Sequence, residues 1–472
     1  MKNKKMNIYD KGSLKMYLRL IVLGTVLLTL AFNAFAQKET PPAGGPPKPF
    51  VFPAQETYTL KNGMKVTLVR YGSVPKVAMQ AIIRTGSLNE KAGQRWISDM
   101  TATMLKEGTA TRSASDIARQ MADMGGTIFT AAATDKTTVG GEVLAEFDTK
   151  FLDLMADVVL NPKFSAEDLE NNRTNKEREI AVARTQPGTL ALEKFREMIF
   201  AGHPYSSIYP TSDDMKGYTL DNLKAYYNDN YGAARTHLYV VGQFDSAKLK
   251  KEIEKAFGGW KKGVDPIRNV PVVNAKRGFA MVDFPGATQS NMYLGMPGPS
   301  PSDPDFIKFV VMDSLLGGSF GSRITSNIRE NKGYTYSPFS QVWNRYKTGY
   351  WMEIAAVTKE HTGNSIKEIL FEIDRLQKEP PTEAEMQGIK NYLTGIYVLQ
   401  NVSRGGVINQ LENMNYNELD KNYLDTYVQK LNAVTAKEVS DMAVKYLNKD
   451  KMTIVVVGDK SVVAEQVKAY EK

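Results

Sequence analysis

The sequence predicts an α+β fold built twice: two homologous tandem domains, each a mostly antiparallel sheet with helices packed on one face. Three observations predict it. Within each half, short β-runs precede long amphipathic helices, the order expected of a covered antiparallel sheet rather than of alternating βα units. Three landmarks recur in the same order at an offset of 216 or 217 residues, the signature of an internal duplication. With 472 residues, 42% of them apolar, the chain has material for a core in each copy.

The landmarks are two capped helix starts and one glycine-closed strand. Ser165 with Asp168 three residues on has the spacing of an N-cap and its acidic partner, and Thr382 with Glu385 repeats it. Thr219-Leu220-Asp221-Asn222 corresponds to Thr435-Ala436-Lys437-Glu438, and Leu238-Tyr239-Val240-Val241-Gly242 to Ile454-Val455-Val456-Val457-Gly458. Cap to glycine is 23 residues in both copies, a register that generic helix–strand alternation does not keep. Upstream, residues 57–69 read as a hairpin about Asn62-Gly63. Residues 77–84 read as a strand, 96–105 as an amphipathic helix, 113–124 as a helix stopped by Gly125-Gly126, and 127–133 and 137–145 as strands. The domains are expected at 53–262 and 263–472.

The N-terminus predicts an address. Residues 1–19 carry six cations against one acid, the charge-free apolar run 20–32 follows, and Ala34-Phe35-Ala36 supplies a small-x-small cleavage site. Residues 1–36 therefore read as an export signal, with a periplasmic destination and no stable membrane anchor after cleavage. An uncleaved anchor is the alternative, but spanning a bilayer takes roughly 18 apolar residues or more. The leader holds +5 of the formal +8, which leaves +3 for the remaining chain. That is too little clustered charge to predict nucleic-acid binding. Residues 37–52, rich in Pro and Gly, read as an extended linker.

Composition also limits the chemistry. The absence of cysteine excludes disulfide scaffolds, thiol nucleophiles and cysteine-ligated zinc. The three histidines, His203, His237 and His361, are 34 and 124 residues apart, so no helix turn presents two of them together. Gly317-Gly318-Ser319-Phe320-Gly321-Ser322-Arg323 lacks the Gly-Lys-Ser/Thr ending of a phosphate-binding loop.

Several segments resemble one family. Gly86-Ser87-Leu88-Asn89-Glu90, Met104-Leu105-Lys106-Glu107-Gly108-Thr109 and Gly202-His203-Pro204-Tyr205 are similar to the N-terminal half of the pitrilysin family of zinc peptidases, which includes insulysin and the mitochondrial processing peptidases. Leu316-Gly317-Gly318-Ser319 and the run from Ile328-Arg329-Glu330 to Tyr334-Thr335-Tyr336-Ser337 resemble its C-terminal half. The resemblance runs over essentially all of residues 55–465. The family's catalytic element is an inverted H-x-x-E-H motif, in which two imidazoles bind zinc and the glutamate is the general base, with a distant glutamate as third ligand. Alignment on residues 104–109 puts Asp99, Ala102 and Thr103 at those three positions, and Glu179 at the distant one. Ala102 cannot move a proton and Thr103 cannot replace a neutral imidazole, so no metal is expected in this chain.

The family's second constellation is intact. Arg329 and Tyr336 keep the seven-residue spacing of the Arg and Tyr that the C-terminal half offers to substrate. The resemblance thus implies the non-catalytic, substrate-binding subunit of a heterodimeric zinc metallopeptidase. Zinc would be held by an H-x-x-E-H partner of the same family, peptides would be the substrate, and Arg329 and Tyr336 would act in trans. The alternative is a catalytically inert peptide-binding or scaffold protein of the same fold. A third reading, an autonomous peptidase with a rebuilt metal site, requires zinc in the isolated chain.

Overall fold

The computed structural model describes Met16 and residues 51–471, so the expected export signal, Met16 apart, and nearly all of the linker lie outside the described residues. The first sheet contains β1 (Gln55–Thr59), β2 (Lys65–Arg70), β3 (Lys76–Ile83), β4 (Thr127–Ala132), β5 (Thr137–Leu144) and β6 (Thr236–Gly242), in the order β1-β2-β6-β3-β5-β4. The second contains β7 (Gly278–Asp283), β8 (Gln289–Pro297), β9 (Phe339–Arg345), β10 (Thr348–Thr358) and β11 (Thr453–Gly458), in the order β7-β11-β8-β10-β9. Without the edge strand β1 the two orders are the same. In each sheet one pair is parallel, β2 with β6 and β7 with β11, and the other neighbours run antiparallel. The duplication legible in the landmarks is therefore a duplication of topology. All four helix caps form: Ser165, Thr219, Thr382 and Thr435 each accept from the backbone N–H three residues on.

Five helices frame the candidate site and join the two halves: α1 (Ile97–Met104), α2 (Ala166–Ala183), α3 (Pro187–Ile199), α4 (Phe306–Asp313) and α5 (Arg404–Tyr416). Strand side chains alternate between faces, and here both faces are used. On one face of the first sheet Val66, Leu68, Met79, Ala81 and Val240 share a core with Met100 and Met104 of α1 and Leu169 and Ile180 of α2. On the equivalent face of the second, Leu294, Met296, Ile454 and Val456 pack with Phe309 and Met312 of α4.

The opposite faces are covered by exchange. Helix α3 belongs to the first half, yet its stripe Ala191, Phe195 and Ile199 packs on Tyr293, Tyr350, Met352, Val455 and Val457 of the second sheet. Those residues alternate with the Leu294–Val456 set. Helix α5 belongs to the second half and lies on β3 and β6 of the first. There Asn415 Nδ2 donates to Tyr239 Oη at 3.1 Å, and Glu412 pairs with Arg84 at 3.2 Å and Lys136 at 2.9 Å. Residues 187–199 and 404–416 are 217 apart at both ends, so α3 and α5 are equivalent elements, each covering the other's sheet. A sheet with helices on one face only was expected. The difference arises because the opposite faces are buried too, apolar Tyr293, Val455 and Val457 in the second sheet and Thr67, His237 and Tyr239 in the first, so each needs a second cover.

Gly295 shows how closely α3 sits. A Cβ there would lie 2.5 Å from Phe195 Cζ and 2.6 Å from the Trp351 carbonyl oxygen. Among the described residues no helix is long and apolar enough to cross a membrane. Phe195 is fully buried in the apolar seam between the halves, so Phe195→Ala is expected to cost about 3–5 kcal/mol. Urea unfolding checks this against Val272→Ala, whose side chain is exposed; equal midpoints for the two variants would show that the exchange contributes little.

Candidate functional site

The Arg-Tyr element begins where α4 runs into a wider, π-helical turn, Ser314–Gly318, and continues through a second π-helical segment, Thr325–Asn331. Ile324 and Ile328 anchor this second segment in the core. Arg323, itself nearly buried, forks onto Glu385 (Nε–Oε1 2.8 Å, Nη2–Oε2 3.1 Å), a bidentate pair of the strong kind. Hydrogen bonding from Arg323 holds the Glu385 carboxyl down at about 2. Asn327 Nδ2 donates to Glu372 at 2.7 Å and Glu368 at 3.0 Å. After Asn331 the chain turns back at Gly333, whose φ of +65° suits glycine, and Thr335 Oγ1 secures the return by donating to the Ala356 carbonyl at 2.7 Å.

That reversal brings Tyr336 back to Arg329. The guanidinium carbon lies 5.2 Å from the Tyr336 ring centre and 4.4 Å from that of Phe320, and Nη1 donates to Glu330 Oε1 at 2.8 Å. Tyr336 and Phe320 are 79% and 73% exposed. Two sequence-predicted residues are thus brought together at an open surface, with a third, Phe320, that the sequence shows only as part of a glycine-rich segment. Cation–π contact of this kind holds the guanidinium in place while leaving donors free.

The aligned metal positions in the first half differ sharply. Asp99 stands on α1, but its partner is Lys176 of α2, with Nζ 2.9 Å from Asp99 Oδ2 and 3.0 Å from Glu179 Oε2. Ala102 is buried and Thr103 half-buried. The residues present do not fit a catalytic zinc: an ammonium joins the two carboxylates, and no imidazole stands on this helix. Among the described residues no three His, Asp or Glu side chains are grouped as a metal requires. The histidines are spread apart. His203 caps a short turn, accepting from the Tyr205 N–H at 3.2 Å. His237 is buried between Thr67 and Tyr239, and burial pushes its pKa down to about 3. His361 stacks on Tyr334 with ring centres 4.2 Å apart.

Two family profiles match this chain: insulinase (peptidase family M16) over residues 65–210, and the peptidase M16 inactive domain over residues 217–393. The chain belongs to the M16 peptidase family. It is 25% identical over 399 residues to the uncharacterized zinc protease YmxG of Bacillus subtilis, covering 83% of this chain and 96% of that one. It is 26% identical over 330 residues to an uncharacterized zinc protease of Rickettsia bellii, covering 69% and 78%. Among solved structures, a peptidase M16 inactive domain from Pseudomonas fluorescens matches with a TM-score of 0.78 at 24% identity, over 86% of this chain and 98% of that one. A protease from Helicobacter pylori matches with a TM-score of 0.80 at 21% identity, over 86% and 100%. These structures share the two-domain M16 fold. This chain is an M16 protein without the family's zinc motif.

Beneath the Arg-Tyr element this M16 chain buries two carboxyls. Asp313 Oδ1 accepts from Ser340 Oγ at 2.5 Å and Trp351 Nε1 at 2.8 Å. Glu353 is fully buried on β10, and a Cβ on Gly317 would fall 2.6 Å from its Oε2, so the glycine leaves room for the acid. Burial, with the charge of Asp313 adding to it, pushes Glu353 far up, so it keeps its proton. Burial raises Asp313 to about 6. The folded pKa of Asp313 thus lies above its unfolded value of about 3.9. Its contribution is fully present below pH ~4 and lost as pH rises through about 6. Asp313→Asn keeps the Oδ1 acceptor and removes that loss. The variant should be more stable than wild type by up to about 3 kcal/mol at pH 8, with the difference closing below pH ~4. Thermal unfolding across this pH range checks it, and a constant difference at all pH values would contradict the assignment.

Proposed function

We propose that this M16 chain is the non-catalytic, substrate-binding subunit of a heterodimeric zinc metallopeptidase that degrades peptides in the periplasm. One observation carries the reading. Arg329 and Tyr336 are assembled on one half, with Tyr336 facing solvent and Arg329 half-buried against it, while the helix that would bear the zinc ligands offers Asp99, Ala102 and Thr103. A prepared Arg-Tyr pair without its own metal calls for a metal supplied by another chain. The partner is accordingly an exported M16 subunit with an intact H-x-x-E-H motif, and the zinc is the partner's.

The roles derive from the chemistry. Attack on a peptide carbonyl builds negative charge on its oxygen, and a fixed phenol hydroxyl is a suitable donor for it. Tyr336 takes that role, its ring steadied by Arg329. The guanidinium presents planar donors for a neighbouring peptide carbonyl, and the stack on Phe320 limits the freedom lost when it binds. An extended peptide adding to a sheet edge would bring its carbonyls to such a pair. The N-terminal export pattern accounts for the periplasmic assignment.

Reconstitution with the H-x-x-E-H subunit tests the reading. The Arg329→Ala/Tyr336→Phe variant should pair with the partner as wild type does and lower kcat about 10²–10³-fold. Cleavage at the wild-type rate would refute the role in trans and leave an inert scaffold.

A further inference from the structure

The first-half cleft, about 710 Å³ and lined in part by Glu90, Arg95, Trp96, Asp99 and Glu179, keeps two carboxylates at positions aligned with the family's zinc ligands. Asp99 projects from α1 and Glu179 from α2, and one positive charge stands between them: Lys176 Nζ, 2.9 Å and 3.0 Å from the two carboxylates. The face of Trp96 closes the cage, its ring centre 5.2 Å from the ammonium. Trp96 is held for this with its backbone at φ +68°, rare for a bulky residue, and with its indole N–H donating to the Ile208 carbonyl at 2.6 Å. Only 17% of the Lys176 side chain is exposed. Two carboxylates and an aromatic face are a cation's coordination shell in everything but the identity of the cation.

We infer that Lys176 is the resident cation of this cleft, bonding α1 to α2 where an M16 catalytic half would place its metal, and that this half is thereby metal-independent. The ammonium stays charged: burial alone would lower its pKa, but hydrogen bonds and charge from Asp99 and Glu179 raise it. A sheltered charge that loses its partner is costly, so removing Lys176 leaves Asp99, 29% exposed, and the more open Glu179, 56% exposed, without the cation they share. They would then accept a divalent ion that the wild type has no room for. The inference needs no partner subunit, and its test reads stability and metal content, so it stands or falls apart from the peptidase reading.

The experiment is thermal unfolding of the isolated full chain in EDTA and in Zn²⁺, with zinc counted by elemental analysis. Wild type should hold no stoichiometric zinc and melt at the same temperature in both. Lys176→Ala should melt lower by about 3 °C or more in EDTA and recover part of that loss with Zn²⁺, and Lys176→Arg should stay near wild type. Should Lys176→Ala not fold, the neutral pair Asp99→Asn/Lys176→Met should fold and melt close to wild type. Stoichiometric zinc in wild type, an unchanged melting temperature for Lys176→Ala, or a neutral pair as unstable as Lys176→Ala would each overturn the assignment.

Discussion

The exchange of α3 and α5 is the constraint on which the rest of the molecule depends. A sheet whose strands are buried on both faces must be covered twice, and each half covers only one face with its own helices. The second cover comes from the other half. The halves therefore cannot be treated as beads on a linker. The relation between the metal-deficient helix and the Arg-Tyr element is fixed by packing within one compact unit. Moving these halves against each other would have to break both covers, so they behave as one packed body.

The two covers are built from different chemistry, although they are equivalent elements. α3 presents an apolar stripe led by Phe195, which fills the space left by Gly295. At the matching position α5 carries Glu412, which binds Arg84 and Lys136, and Arg404 adds bonds to the Lys76 and Val74 carbonyls. The apolar seam contributes stability through area removed from water. The polar seam contributes register, since carbonyls and charges accept only one placement, and such pairs contribute little net energy.

Much of this was legible in the sequence because the signals are local. The Asn62-Gly63 hairpin, the four capped starts and the glycine-closed strands depend on residues within a few positions of one another, and each forms as read. The stripe Ala191, Phe195 and Ile199 on α3 was not read from the sequence, and amphipathicity alone would not have named the sheet it meets. Lys176 could be read against Glu179 one turn away, but its contact with Asp99 spans 77 residues and is tertiary. Asp313 and Glu353 gave no signal, because acids are expected at the surface and only Gly317 hints at the space beneath it. Arg329 and Tyr336 were legible as a spacing. The π-helical widening and the Gly333 reversal that turn this spacing into a contact belong to no simple period.

The different fates of the two halves reflect what each chemistry tolerates. A catalytic zinc site needs its ligands together; with Asp99, Ala102 and Thr103 in place, the remaining carboxylate is no fraction of a site but a charge to be neutralised. Lys176 neutralises it at the cost of closing the position to a metal. An Arg-Tyr pair has no such all-or-none demand. It needs only a scaffold that holds two side chains at one surface, and Arg323–Glu385, Asn327–Glu372 and Thr335–Ala356 provide it from within the second half. None of those bonds reaches the first-half cleft. The chain can therefore hold an internal cation on one side and keep an assembled Arg-Tyr pair on the other.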